Sequence, residues 1–144
     1  MSFTKPIGVA YLDQDIIGAD TVSANVVYAT SQLGYTNGAY GTVTQTGNKA
    51  SAVTLNKTAG TITTTNAQMA PGAKVAFVVN NSQVSALDTV IVNIASGATA
   101  TFAYLIAVVT VTDGAFTINL DNVSSNAYTD TLKINFAILH VQSA

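Results

Sequence analysis

The side chains able to do chemistry are few in this chain, and their spacing joins them into no reactive set. His140 is the only histidine, and there is no Cys, Glu, Arg or Trp. A general base needs a positioned partner, and a metal site needs several ligands. His140 follows an alternating run near the C-terminus and reads as an ordinary strand-end residue. No serine lies in a Gly-x-Ser-x-Gly elbow, and a Ser-His-Asp triad would have to use His140, which has no supporting context. The run Asp13-Gln14-Asp15-Ile16-Ile17-Gly18-Ala19-Asp20 begins like a calcium loop. It fails that pattern because Ile17 stands where a third oxygen ligand belongs and no Glu closes the loop. These carboxylates read as turn caps, as do Asp88, Asp113, Asp121 and Asp130. No two acids are paired at a spacing that supports glycoside hydrolysis. The glycines are spread singly, with no phosphate loop. The expectation is no catalytic residue, no cofactor and no metal. Three sequons, at Asn56, Asn80 and Asn122, are of the kind an Asn- and Thr-rich chain produces by chance. Without Trp, and with Tyr clustered near the N-terminus, the chain makes a weak case for sugar binding.

The scarcity of charge is itself informative. Only 8% of the 144 residues are charged, against about 25% in ordinary soluble domains. Five Lys and seven Asp are scattered, giving a net charge of −2 and no basic footprint for nucleic acid. An outward surface so neutral suits a subunit packed in an assembly better than a free monomer. The longest apolar stretch, Phe102–Val109, is far short of the roughly 20 residues that span a bilayer. The opening residues contain no apolar run of signal-peptide type, so no leader and no membrane partner are expected. The length suits one domain that buries about 68–70% of its unfolded surface.

What must position any site is a set of strands. Ala52–Leu55, Gly60–Thr64, Lys74–Val79, Thr89–Ile94, Tyr104–Thr110, Ala115–Leu120 and Leu132–Ile138 alternate apolar and polar residues, or run apolar, over strand-like lengths. Their Thr, Val and Ile are branched at Cβ and suit a pleated surface. Asp113-Gly114 between two such runs signals a two-residue hairpin, expected as type I′. Pro71-Gly72, Asn80-Asn81-Ser82 and Ser96-Gly97 punctuate other junctions. The pattern predicts an all-β protein, an antiparallel, jelly-roll-like β-sandwich over residues 41–144.

Residues 1–40 follow neither period and read as an irregular N-terminal arm, with room for a short helix between a Ser23 cap and a Gly34 stop. Ile7, Tyr11, Leu12, Ile16 and Ile17 are apolar and closely spaced, and Tyr28 adds a large amphipathic side chain. These six are the candidate residues for anchoring the subunit to a partner.

Several blocks in order carry a resemblance. They are Leu33-Gly34-Tyr35-Thr36-Asn37-Gly38, Gly41-Thr42-Val43-Thr44-Gln45, Val53-Thr54-Leu55-Asn56-Lys57, Gly60-Thr61-Ile62-Thr63, Val90-Ile91-Val92-Asn93 and Ile134-Asn135-Phe136-Ala137-Ile138. From Leu33 to Leu139 the chain resembles small bacteriophage virion structural proteins, β-rich head-decoration and tail-fibre-like components. The resemblance implies a non-enzymatic virion protein, assembled in the host cytoplasm. It further implies a homo-oligomer, most simply a trimer, partnered with itself and with other virion proteins such as the major capsid protein. A capsid decoration subunit is the first expectation. A tail-fibre or receptor-binding tip is the second, because no repetitive shaft precedes the strands. An enzyme such as a glycan depolymerase stands far behind.

Overall fold

The computed structural model describes residues 25–141. The chain divides into two units, residues 1–33 and 34–144. Eight strands build the second: β1 (Tyr40–Thr44), β2 (Val53–Thr54), β3 (Ala59–Thr63), β4 (Lys74–Asn80), β5 (Thr89–Ser96), β6 (Tyr104–Thr112), β7 (Ala115–Asn122) and β8 (Lys133–Leu139). A 3₁₀ turn, Asn37–Ala39, leads into β1 and is the one helical segment among the described residues. Residues 25–34, where the sequence left room for a short helix, contain none. Val26 and Val27 restrict χ1 there and disfavour a helix.

The strands form two four-stranded sheets, ordered β1-β3-β8-β5 and β2-β4-β7-β6, packed as a β-sandwich. Each of the seven runs read from the sequence overlaps a strand. The central pairings, β3 with β8, β8 with β5, β4 with β7 and β7 with β6, are antiparallel. The two remaining edge pairs depart from the expected antiparallel arrangement: β1 lies parallel to β3, and β2 parallel to β4. Parallel strands need a crossover between them. Here β2, in the opposite sheet, is part of the crossover from β1 to β3, and β3 is part of the crossover from β2 to β4. Strands that alternate between sheets return to their own sheet running the same way.

The core follows from the period of two. Ile62, Ile134, Phe136 and Ile138 line the inner face of one sheet, and Phe77, Val79, Phe116, Ile118 and Leu120 that of the other, all buried. Phe116 and Phe136 meet across the sandwich, with ring centroids 5.3 Å apart and planes tilted by 57°. Burying each such side chain stabilises the fold by about 1.5–3 kcal/mol, and tilted aromatic pairs add to that.

The β6–β7 hairpin closes over Asp113-Gly114 as expected, but not as type I′. Gly114 alone takes a positive φ, +80°, the sign pattern of a type II turn. Asp113 is engaged elsewhere: its Oδ1 accepts the Ala86 N–H at 2.9 Å. The Gly114 N–H donates to the Val84 carbonyl at 3.0 Å. The neighbouring loop thus fixes the turn.

Candidate functional site

The loop joining β5 to β6 carries the most unusual backbone among the described residues, and buried charges from other loops lie beneath it. Phe102 has φ +57°, the one positive value outside glycine among the described residues. A bulky residue seldom occupies this region, because its Cβ approaches the following carbonyl. The side chain is 91% exposed, so no burial of the ring offsets that strain. Beside it lies an open hollow of about 300 Å³, lined in part by Ile94, Ala98, Ala100 and Tyr104.

Below the loop, Asp130 holds it in place. The Asp130 carboxylate accepts the Thr99 N–H at 2.9 Å, the Thr99 hydroxyl at 2.5 Å and the Tyr104 hydroxyl at 3.2 Å. Burial alone would raise its pKa. The Thr99 hydroxyl and N–H and the Tyr104 hydroxyl outweigh burial and hold the pKa below the ordinary value, with help from the Lys49 charge. Tyr104 shifts upward, through burial first and then the neighbouring Asp130 charge. Tyr128 packs against its ring at a centroid distance of 6.2 Å.

Lys49 completes the network from the β1–β2 loop. It is 2% exposed. Its ammonium donates to the Asp130 carbonyl at 2.5 Å, the Thr65 carbonyl at 2.6 Å and the Thr64 hydroxyl at 3.3 Å. Three acceptors match the three N–H donors of an ammonium. Burial lowers the Lys49 pKa, and the Asp130 charge pushes it back up. Gln45 closes the Lys49 loop by donating to the carbonyls of Lys49 and Ser51, at 3.0 and 2.7 Å. Among the described residues no buried side-chain nitrogen or oxygen lacks a partner.

A second buried carboxylate, Asp88, ties the end of β8 to the start of β5. Its Oδ2 accepts the Ser85 N–H at 2.9 Å and lies 3.0 Å from His140 Nδ1. Its Oδ1 accepts the Val141 N–H at 2.9 Å. The Ser85 bond is the largest cause of a pKa pushed down to about 2; burial opposes it, and Val141 and His140 support it. A carboxyl group with a depressed folded pKa stabilises the fold above its unfolded value, here 3.8, and loses that contribution as pH falls through the folded value. Wild type should therefore lose stability between about pH 4 and pH 2 more steeply than Asp88→Asn, although the variant starts lower at pH 7. Urea midpoints at pH 7, 4 and 2.5 check this; parallel losses in the two proteins would refute it.

The residues singled out from the sequence fall as follows. Ile7, Tyr11, Leu12, Ile16 and Ile17 lie outside the described residues, as does the Asp13–Asp20 run. Tyr28 is described and is 88% exposed. His140 does follow a strand, and among the described residues its side-chain partner is Asp88. Asp88 and Asp130, read as ordinary turn caps, are buried anchors; both cap backbone N–H groups, but from inside the protein. Asp121 pairs with Lys74 at 3.2 Å near the protein surface. Of the three sequons, Asn122 is closed to modification. It is 1% exposed, and its amide donates to the carbonyls of Met69, Ala70 and Asn126 at 3.0, 3.1 and 2.8 Å. Among the described residues no cluster of three or more His or Asp could hold a metal ion. The network around Lys49 and the strained Phe102 were not found from sequence. Lys49 stands in a Gly47-Asn48-Lys49 stretch that reads as a solvated turn, and nothing in a one-dimensional pattern marks a positive φ at Phe102.

No family model, curated protein or solved structure matches this chain.

Proposed function

We propose that this protein is a non-enzymatic structural subunit of a bacteriophage virion, a capsid decoration or head-surface protein working as a homo-oligomer, most simply a trimer. The observation that carries the non-enzymatic part is how its shifted ionisable groups are used. Lys49, Asp88 and Asp130 each spend their hydrogen-bonding capacity on the chain's own backbone and side chains. Tyr104 does the same through Asp130. Catalytic groups with shifted pKa values face a cleft where substrate can reach them; Lys49, Asp88 and Asp130 lock loops instead, and Tyr104, which lines the hollow beside Phe102, spends its hydroxyl on Asp130. The assembly part rests on a surface with too little charge for a comfortable free monomer. The virion part rests on the ordered resemblance of residues 33–139. The N-terminal segment is the anchor in this reading, through Ile7, Tyr11, Leu12, Ile16, Ile17 and Tyr28, with other virion proteins such as the major capsid protein as partners.

Deleting residues 2–32 tests the anchor. The remainder should keep the strand-rich circular dichroism of the full chain yet fail to join particles that lack the protein. A truncated chain that still decorates them would overturn the anchor. Immunogold labelling of particles separates the head surface from the tail tip, the alternative location.

A further inference from the structure

We propose that the flank formed by the outer strands β5 and β6, with Phe102 at its connecting loop, is the surface through which copies of this chain join. The inference rests on the reading of an assembling subunit and names the contact.

The sandwich is sealed in the middle and open along this flank. The inward side chains of β8 and β7 are buried, while their apolar partners one strand further out are only half-buried; Tyr104, opposite Asn122 at the start of β6, is the exception and is buried. Ile134 is buried and Ile94 is not; the same holds for Phe136 and Val92, and for Ile138 and Val90. In the other sheet Ile118 is buried beside half-buried Val108, and Leu120 beside half-buried Ile106. Ile91, Leu105 and Val109 are more than half exposed on the outward faces of the same two strands.

The backbone of the flank is open as well. β5 and β6 each end a sheet, so among the described residues their outer N–H and C=O groups meet no further strand. Proteins that stay monomeric usually blunt such edges with Lys, Pro, bulges or very short strands. Residues 89–112 contain no charged residue and no Pro. Irregularities occur between Ile94 and Ser96 and between Val108 and Thr110, which leaves Thr89–Ile94 and Tyr104–Val108 as regular edges. The opposite flank is treated differently. There β2 is only two residues long, and Lys57 donates to the Gly38 carbonyl at 2.8 Å beside the start of β1. β5 and β6 thus each carry one irregularity, but each keeps a regular, charge-free stretch longer than β2.

A second copy is the occupant that fits. A patch of one sign of charge repels a copy of itself, whereas a charge-free patch meets its copy with no like-charge repulsion to overcome. Its polar groups, Thr hydroxyls and the Asn93 amide, both donate and accept. The patch also carries its own complement. Phe102 forms one wall of a hollow of about 300 Å³ that Ile94, Ala98 and Ala100 line together with Thr99 and Thr101, so the exposed ring of one copy can seat against the hollow of the next. An interface between identical chains needs a knob and a hole on the same molecule. The strain at Phe102 then has a use, since it holds an aromatic anchor outward before the partner arrives.

Sedimentation of the full chain over a micromolar concentration series tests the proposal, with Phe102→Gly and Ile91→Lys alongside. Gly relieves the positive φ, and Ile91 is exposed, so both variants should keep the wild-type strand spectrum. Wild type is expected to self-associate, and each variant to raise the dissociation constant by about thirtyfold, the size of a hot-spot truncation. Hydrogen exchange on wild type gives the answer without a variant: amides of Thr89–Ile94 and Tyr104–Val108 should gain protection as concentration rises. An oligomer that neither substitution weakens, with no added protection on β5 and β6, would overturn the flank and leave the assembly reading standing. A wild type that stays monomeric throughout would overturn the proposal too, and particle labelling would then judge the virion reading separately.

Discussion

Gly97→Ala should lower stability by about 3 kcal/mol, far more than the same change at Gly72. Both glycines have positive φ, +96° at Gly97 and +70° at Gly72, so both substitutions incur the left-handed penalty of about 1–2 kcal/mol. What separates them is space. A Cβ on Gly72 would meet nothing within 4 Å, whereas one on Gly97 would lie 2.1 Å from the Thr131 carbonyl oxygen and 3.0 Å from the Leu132 Cα. Those are backbone atoms and cannot swing aside. Either the β5–β6 loop or the start of β8 must move, and the loop is the part that presents Phe102. Urea denaturation of the two variants against wild type measures the difference, and equal midpoints for Gly97→Ala and Gly72→Ala would refute the clash. Exchange of the Thr99 amide, which Asp130 protects, should quicken in Gly97→Ala alone.

The strands were legible because alternation records burial directly. Val75, Phe77 and Val79 lie on one face in the sequence and on one face in β4, since a strand turns successive side chains to opposite sides. Direction was not legible. A period of two is the same in parallel and antiparallel strands, so nothing in Val53-Thr54 or Gly60–Thr63 indicated the parallel edge pairs. The openness of β5 and β6 was hidden for a related reason. Val90, Val92 and Ile94 carry the same pattern as Ile134, Phe136 and Ile138; only the order of strands in the sheet decides which set is sealed. The candidate site lay further out of reach. Lys49, Thr99 and Asp130 are far apart in sequence, and each alone looks like a polar loop residue. Composition did give a hint in retrospect. A chain that uses so few charges and still buries Lys49, Asp88 and Asp130 is using them to fix loops.

Asp130→Ala is expected to cost about 2–4 kcal/mol and to release the loop that carries Phe102. The substitution removes the acceptor of three donors at once: the Thr99 N–H, the Thr99 hydroxyl and the Tyr104 hydroxyl. Thr99 is exposed and can turn to water. Tyr104 is 8% exposed, so its hydroxyl is left poorly satisfied, and a stranded buried donor costs about 1–3 kcal/mol. Lys49 keeps its bond to the backbone carbonyl of residue 130 but loses the nearby negative charge that offsets its burial. Asp130→Asn should fall between wild type and Asp130→Ala, because its carboxamide oxygen can serve one donor while the charge is gone. Combining Asp130→Ala with Lys49→Met separates the two contributions. If charge couples the pair, the double variant loses less than the sum of the single losses; if Asp130 acts only through Thr99 and Tyr104, the losses add. Urea midpoints at neutral pH compare wild type with Asp130→Ala, Asp130→Asn, Lys49→Met and the double variant, and wild-type stability in Asp130→Ala would refute the bracing role. Because the brace lies beneath an exposed, strained aromatic residue, its loss should also weaken association under conditions where the variant remains folded.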